Sequence, residues 1–549
     1  MRRAVSSGVV GFGMLLASAP GAQAPPRGSS PDLTRIEARG LDAHLRFLAD
    51  DLLEGRAPAT RGGDLAARYI AAAFQAIGLE PGGDDGTFFQ QVPILESRVT
   101  ETITLTARAA DRTESFAAPA DLVAFSGTDQ AMVKVDGALV FAGFGIVAPE
   151  YKWNDYAGLD VKGKVVLVMV NDPPATAGEP ALFGGRALTY YGRWTYKYEE
   201  AARQGAAGAI LIHTTESASY PFSVVQSGWG GTQYSLPPAS GVPALPFKAW
   251  MTEDASRRLA KLGGHDLDAL RAAARSRGTR GVDLGVRVAS GLVQQVSRKQ
   301  SPNVIGRLAG SSRASESVVF TAHYDHLGVR PDAKGDGIYN GARDNASGVA
   351  GLIEVAEALA SAAPPSRSVY FVATTAEESG LLGAEHLAAR PPMAIDRVAA
   401  NVNLDSLNVY GPAREIVLLG SDRSTLGALA DRLAKQAGRT IAPDPTPERG
   451  AFFRSDHFPL AKAGVPALSV SLGDPASFHG PGAEEARRLA KAYNDVQYHQ
   501  PGDEPQAGWN LAGAVDDLRL LAELAWVVAT SAEMPAYHAG EQFARPRHK

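Results

Sequence analysis

After Ser301 the chain alternates between short apolar runs and amphipathic stretches, and this alternation restricts its fold more than any other feature. Residues 317–322, 368–374 and 398–404 read as buried strands, with helices over 347–360 and 382–389 between them. That order predicts an α/β fold, a mixed sheet with helices on both faces, covered by a last amphipathic helix over 511–529. Upstream, helical periodicity is present in 41–53 and 64–77, and a turn-rich stretch at 82–86 precedes a strand over 102–107. From 126 to 298 the texture changes to β-like runs such as 137–141 and 164–170, glycine-rich turns and one helix-like segment at 198–204. The expected division is therefore a leader over 1–24, the first part of the main domain over 25–125, an inserted β-rich domain over 126–298, the rest of the main domain over 299–530, and a polar tail over 531–549.

With 549 residues, 45% of them hydrophobic, the chain has material for more than one core. Its net charge of -5 and lack of like-charge blocks supply no positive field for phosphate backbones, so no nucleic-acid partner is expected. Arg2 and Arg3, the apolar stretch 8–17 and the small residues Ala22-Gln23-Ala24 have the layout of a cleavable signal peptide, implying export to a periplasm or the extracellular space. No later segment reaches about twenty uninterrupted apolar residues, so no membrane span is expected. Cysteine is absent, which excludes disulfides and thiolate metal sites; any metal must be held by His and carboxylates.

Acidic and His residues fall at the ends of the expected strands, where open α/β sheets bind ligands. The first strand ends in His323-Tyr324-Asp325-His326: His323 is a candidate ligand, and Asp325 a candidate for holding its other ring nitrogen or for capping a turn. Asp344, just ahead of a helix, reads either as an N-cap or as a carboxylate able to bridge two cations. Glu377 and Glu378 follow the next strand, and two adjacent acids at a buried strand's end are costly unless solvated, paired or metal-bound. They can divide the labour, Glu378 as ligand and Glu377 as general base. Asp405 closes the strand after that, and His499 lies in a polar loop before the last helix. Imidazole and carboxylate donors without thiolates suit zinc, with cobalt or manganese as substitutes, and a bridging carboxylate suits a pair of ions.

Five segments in order, HYDH, YNGARDNASG, TAEESG, NLDS and YHQPGDE, resemble zinc metallopeptidase family twenty-eight, which includes leucyl aminopeptidases, aminopeptidase Y and glutamate carboxypeptidase II. The resemblance runs over nearly all of 35–530; GFGIVAPEYKWNDYAGLDVKGKVVLVM and KYEEAARQGAAGAILI within it resemble the protease-associated domain. It implies a secreted exopeptidase with two zinc ions and a peptide substrate. One ion falls on His323 and Asp405, the other on Glu378 and His499, with Asp344 bridging and Glu377 as base. Tyr498 matches a residue that stabilises the oxyanion in carboxypeptidase-like members; a packing role is the alternative. The chain has Arg343-Asp344 where many relatives have two acids, and Leu468-Ser469-Val470-Ser471 lacks the arginine that carboxypeptidases use for acidic substrates. This favours an aminopeptidase. A carboxypeptidase or dipeptidase, a catalytically silent receptor-like protein and a one-zinc glutaminyl cyclase are the rivals. His326, Asp456-His457 and His479 lie near the motifs outside the ligand set: Asp456-His457 reads as support behind the ligands or as facing substrate, and His479 as a loop residue. Oligomeric state has no signature in the sequence.

Overall fold

The computed structural model describes residues 28–545 except 219, 239, 240, 331 and 332, so the expected leader over 1–24 lies outside the described residues. The strands at the centre are those the apolar runs predict: Arg313–His323, Arg367–Thr374 and Val398–Asn403. Arg313–His323 lies between the other two, parallel to both, and Ala467–Ser471 extends the parallel set beyond Val398–Asn403. Glu415–Leu419 then pairs antiparallel with Ala467–Ser471, and the C-terminal part of Val282–Leu308 pairs antiparallel with Arg367–Thr374, so the sheet is mixed.

Parallel strands are buried on both faces, which explains their unbroken apolar sequence. One face is covered by Ala38–Leu48, Arg61–Ile77, Ser347–Ala360 and Ala512–Thr530, whose Leu45, Phe74, Leu352 and Leu521 share a core with Val318, Phe320 and Phe371. On the other face Leu387 of Leu382–Ala389 and Leu460 of His457–Lys462 pack on Val319, Val372 and Val398. Helix ends follow local chemistry. Thr60 accepts a hydrogen bond from the Gly63 N–H at the start of Arg61–Ile77, and Gly78, at φ 89°, terminates it.

A second set of strands hangs on the 27-residue strand Val282–Leu308. Its first half pairs with Met132–Phe141, which leads through parallel Val165–Met169, Gly208–His213 and Phe247–Thr252 to the antiparallel Leu122–Phe125. Thr104–Ala109 and Arg112–Ala117 join the same set on the other side of Val282–Leu308. These strands precede residue 126, so pairing carries the second set some twenty residues further towards the N-terminus than the texture of the sequence does. The middle of Val282–Leu308 pairs with Phe89–Val99, on whose other edge the short strand Gln233–Ser235 pairs, and this arm joins the sets.

The second set also packs on the first. Leu188 donates its N–H to the Pro447 carbonyl at 2.9 Å, and the Tyr190 ring lies 5.0 Å from that of Phe458. The segment expected as a tail folds back as far as it is described: Tyr537 bridges to Ser424, and buried Phe543 packs its ring 5.7 Å from Phe458. No described helix is long and apolar enough to cross a membrane.

Candidate metal centre

The carboxyl ends of the three parallel strands converge. His323 is the last residue of its strand and is buried, with Nε2 3.2 Å from Asp344 Oδ1, 3.5 Å from Asp405 Oδ1 and 3.9 Å from Glu377 Oε2. His499 enters from the loop before the last helix, its Nε2 3.2 Å from Asp344 Oδ2 and 3.0 Å from Glu378 Oε2. Asp344 therefore turns one oxygen to each imidazole, with Asp405 on the His323 side and Glu378 on the His499 side. His323, Asp344 and Glu378, and likewise His323, Glu377 and Asp405, offer donor atoms within 4.8 Å of one another.

Local structure explains how these groups are held. Asp344 lies in a tight turn, Ala342–Ala346, and the N–H groups of Arg343 and Asp344 donate to Asp503 Oδ1 and Oδ2 at 3.0 and 3.1 Å. It does not cap the following helix; Asn345 Oδ1 accepts the Gly348 N–H at 2.9 Å instead. The Asp405 carboxylate accepts from Ser455 Oγ at 2.6 Å. Asp325 acts twice: its carbonyl lies 3.2 Å from His323 Nδ1, and its carboxylate accepts the N–H groups of Glu377 and Glu378 at 3.0 and 3.4 Å. The Asp325 carboxylate itself is 3.9 Å from Nδ1, so the main-chain oxygen, rather than the side chain, is the nearer partner of the ring. Tyr498 stacks on His499, ring centroids 3.9 Å apart, and is 46% exposed.

Of the other residues in this neighbourhood, Arg56 has no sequence signal of its own, and the histidines near the motifs have no ligand role in the pattern. Arg56 is fully buried beneath the site and donates to the carbonyls of Tyr324, Asn340 and Gly341 at 2.7, 2.5 and 3.0 Å, and to that of Leu48. His326 Nδ1 meets Glu378 Oε1 at 2.6 Å. Asp456 accepts from Thr374 Oγ1, while His457 packs its ring 4.8 Å from Phe452 and His479 contributes nothing to the cluster. Arg343, the departure from the family pattern, points away: its guanidinium lies 4.3 Å from the Tyr493 ring and donates to the carbonyls of Ser406 and Leu407.

The electrostatics are those of a site short of positive charge. Burial pushes the Glu377 carboxyl well above its usual range, Glu378, Asp405 and Asp456 add to the push, and His323 opposes it. Burial opposes a charge on His499, but Glu378 and Asp344 outweigh it and lift the imidazole to about 10. In the same way acidic neighbours hold His323 charged against burial. Protons on two crowded imidazoles compensate acids that otherwise face one another, and a cation between them would do the same without the protons. The donor set, imidazole nitrogens and carboxylate oxygens pointing inward, fits such an ion.

At the junction of the two strand sets stand two arginines. Arg193 and Arg454 line a small cavity with Asn171, Leu188, Trp194 and Tyr220, and among the described residues neither forms an ion pair. Arg193 Nε is buried without a hydrogen-bond partner, and burial together with the like charge of Arg454 pulls its pKa down to about 9. Both guanidinium groups are within electrostatic reach of Tyr498.

Two imidazoles and four carboxylates thus gather at the carboxyl edge of a mixed α/β sheet, a candidate metal centre where such sheets bind ligands. Residues 303–522 match the model of peptidase family M28. Aminopeptidase YwaD of Bacillus subtilis (strain 168) is 25% identical over 368 residues, 64% of this chain; the chain spans 63% of the length of that relative. A probable zinc metalloprotease of Pyrenophora tritici-repentis (strain Pt-1C-BFP) is 39% identical over 103 residues, 19% of this chain and 23% of that protein. The aminopeptidase from Aneurinibacillus sp. strain AM-1 superposes with a TM-score of 0.52 at 19% identity, covering 91% of this chain and 96% of the other, a likeness of fold.

Proposed function

We propose that this chain is an exported two-zinc exopeptidase acting on peptides, and that its main activity is release of N-terminal residues. The observation that carries the reading is the split of Asp344 between two imidazoles, Oδ1 towards His323 and Oδ2 towards His499. His323 and Asp405 would hold one ion, Glu378 and His499 the other, and Asp344 both. Zinc bound there supplies Lewis acidity towards the scissile carbonyl and makes water a better nucleophile near neutral pH.

Glu377 is the general base. Its carboxyl lies at the edge of the donor set, Oε2 3.9 Å from His323 Nε2, and its raised pKa suits a group that takes a proton from the attacking water and returns it to the leaving amine. Tyr498, stacked on His499 at the open side, donates to the oxyanion. Asp325 ties the Glu377–Glu378 backbone to the His323 strand. The strands around 126–298 form a protease-associated insert that roofs the cleft and restricts it to chain ends, and residues 1–24 direct export to a periplasm or beyond.

One observation favours a second reading. Among the described residues Arg193 and Arg454 have no acidic partner, and they lie within electrostatic reach of Tyr498, where they suit a substrate carboxylate, as a carboxypeptidase or dipeptidase would require. Leucine p-nitroanilide and an N-blocked dipeptide separate the two. Rapid cleavage of the first alone supports the aminopeptidase, and cleavage of the second alone overturns it. Hydrolysis of neither, with zinc supplied, overturns both.

A further inference from the structure

His326 has no place in the donor set, yet it is buried at the set's edge. Its Nδ1 lies 2.6 Å from Glu378 Oε1, while the other oxygen of that carboxylate, Oε2, faces His499 Nε2 at 3.0 Å. The ring stands edge-on to His499, centroids 5.5 Å apart at 77°, and its Nε2 meets no hydrogen-bond partner among the described residues. Facing a carboxylate oxygen, the Nδ1 side of the ring donates to Glu378.

The surroundings fix this geometry. The His326 N–H points at the Arg56 carbonyl at 3.4 Å, so the buried arginine loop holds the backbone. Gly341, at φ 54°, passes directly against the ring: a Cβ there would fall 2.5 Å from His326 Cγ and 2.3 Å from the Asp344 carbonyl oxygen. The glycine of the YNGARD segment is thus the residue that lets the imidazole and the Asp344 turn occupy adjoining space.

Resting on the reading of Glu378 as a zinc donor, we propose that His326 is a positioning residue. It engages Oε1 of Glu378 and so leaves Oε2 as the oxygen presented to the half-site shared with His499, setting the affinity of that half-site and not of the one built on His323 and Asp405. Partners of this kind change metal affinity by about 10- to 100-fold. The histidine is distinguishable from a mere space-filler because its two nitrogens differ in reach. The amide nitrogen of Asn coincides with Nδ1, whereas that of Gln coincides with Nε2.

The test is a zinc titration of the full chain against a chromophoric chelator, for the wild type and for His326→Leu, His326→Asn and His326→Gln, with thermal melts to confirm folding. The wild type is expected to hold two ions tightly. His326→Leu and His326→Gln should keep one and bind the other about 10- to 100-fold more weakly, and His326→Asn should restore most of the loss. Two ions held by His326→Leu as tightly as by the wild type would overturn the positioning role while sparing the two-zinc reading, as would an Asn variant as weak as Leu. A wild type that binds no zinc removes both. If His326→Leu does not fold, the contrast between Asn and Gln decides.

Discussion

The molecule buries charge in two regions, one in each set of strands, and solves the problem differently in each. In the second set Lys197 is fully buried and donates to the Asn171 carbonyl at 3.0 Å. Around it, Asp155 accepts from the Ile146 N–H and Trp153 Nε1 at 3.0 and 2.9 Å, and Asp172 from the Thr189 N–H and Oγ1 at 2.7 and 3.0 Å. Burial pulls the ammonium down to about 7 and lifts Asp172 to about 7, each opposed by attraction between lysine and acids. Every carboxylate oxygen has a donor and a cation stands near. At the edge of the first sheet, by contrast, Asp344, Glu377, Glu378 and Asp405 turn oxygens towards His323 and His499, and the buried Arg56 spends its contacts on backbone carbonyls. A charge cluster that satisfies itself is architecture; one that satisfies itself only with an added cation is a site.

Removing one group from each cluster exposes the difference. Glu377→Gln should lower kcat by about a thousandfold or more while leaving zinc content unchanged, because the base acts on the proton and not on the metal. Full turnover in that variant, measured on leucine p-nitroanilide, would remove Glu377 from the chemistry. Lys197→Met leaves Asp155 and Asp172 without their cation and is expected to cost about 3–5 kcal/mol of stability by urea denaturation. The same variant should hold its zinc and its activity per folded molecule, and loss of zinc from it would erase the contrast between the clusters.

Smaller effects refine the picture. Arg193→Ala together with Arg454→Ala should raise KM for a substrate with a free carboxylate near the scissile bond by about tenfold and leave that for leucine p-nitroanilide within about twofold. Equal changes for both substrates would mean that the arginines only support the junction. Glu354, buried on the helix Ser347–Ala360 and accepting the Glu37 N–H at 3.2 Å, offers a control away from both clusters. Burial raises its carboxyl from 4.5 to about 7, so its folded pKa exceeds its unfolded one, and stability is lost as pH rises from 4.5 towards 7. Glu354→Gln should therefore be more stable than the wild type at pH 8 and no different at pH 4, read as a shift in denaturation midpoint; a reversed pH trend would refute the sign.

The edge of the first sheet is legible in the sequence because parallel strands are uniformly apolar and end abruptly, so an acid or His at the end stands out. His323 and Asp405 are found in this way, and Arg313–His323 and Val398–Asn403 carry them to within 3.5 Å of each other. Val282–Leu308 escapes for the opposite reason. It alternates buried and exposed positions and carries Ser297 to Gln300 and Pro302 in its course, so no apolar run marks it although the strand runs through both sets. The expected boundary between 298 and 299 falls inside it. His326 and Arg56 are invisible to pattern because their roles are set by what lies opposite: Glu378 across 52 residues for one, and carbonyls from three separate segments for the other.

Zinc content of the purified full chain after exhaustive dialysis tests the account most directly. Two ions per chain in the wild type, falling to one or fewer in Asp344→Ala with the fold retained, is the result that a carboxylate shared between two half-sites requires. A wild type that holds none, or an Asp344→Ala variant that still holds two, would contradict it.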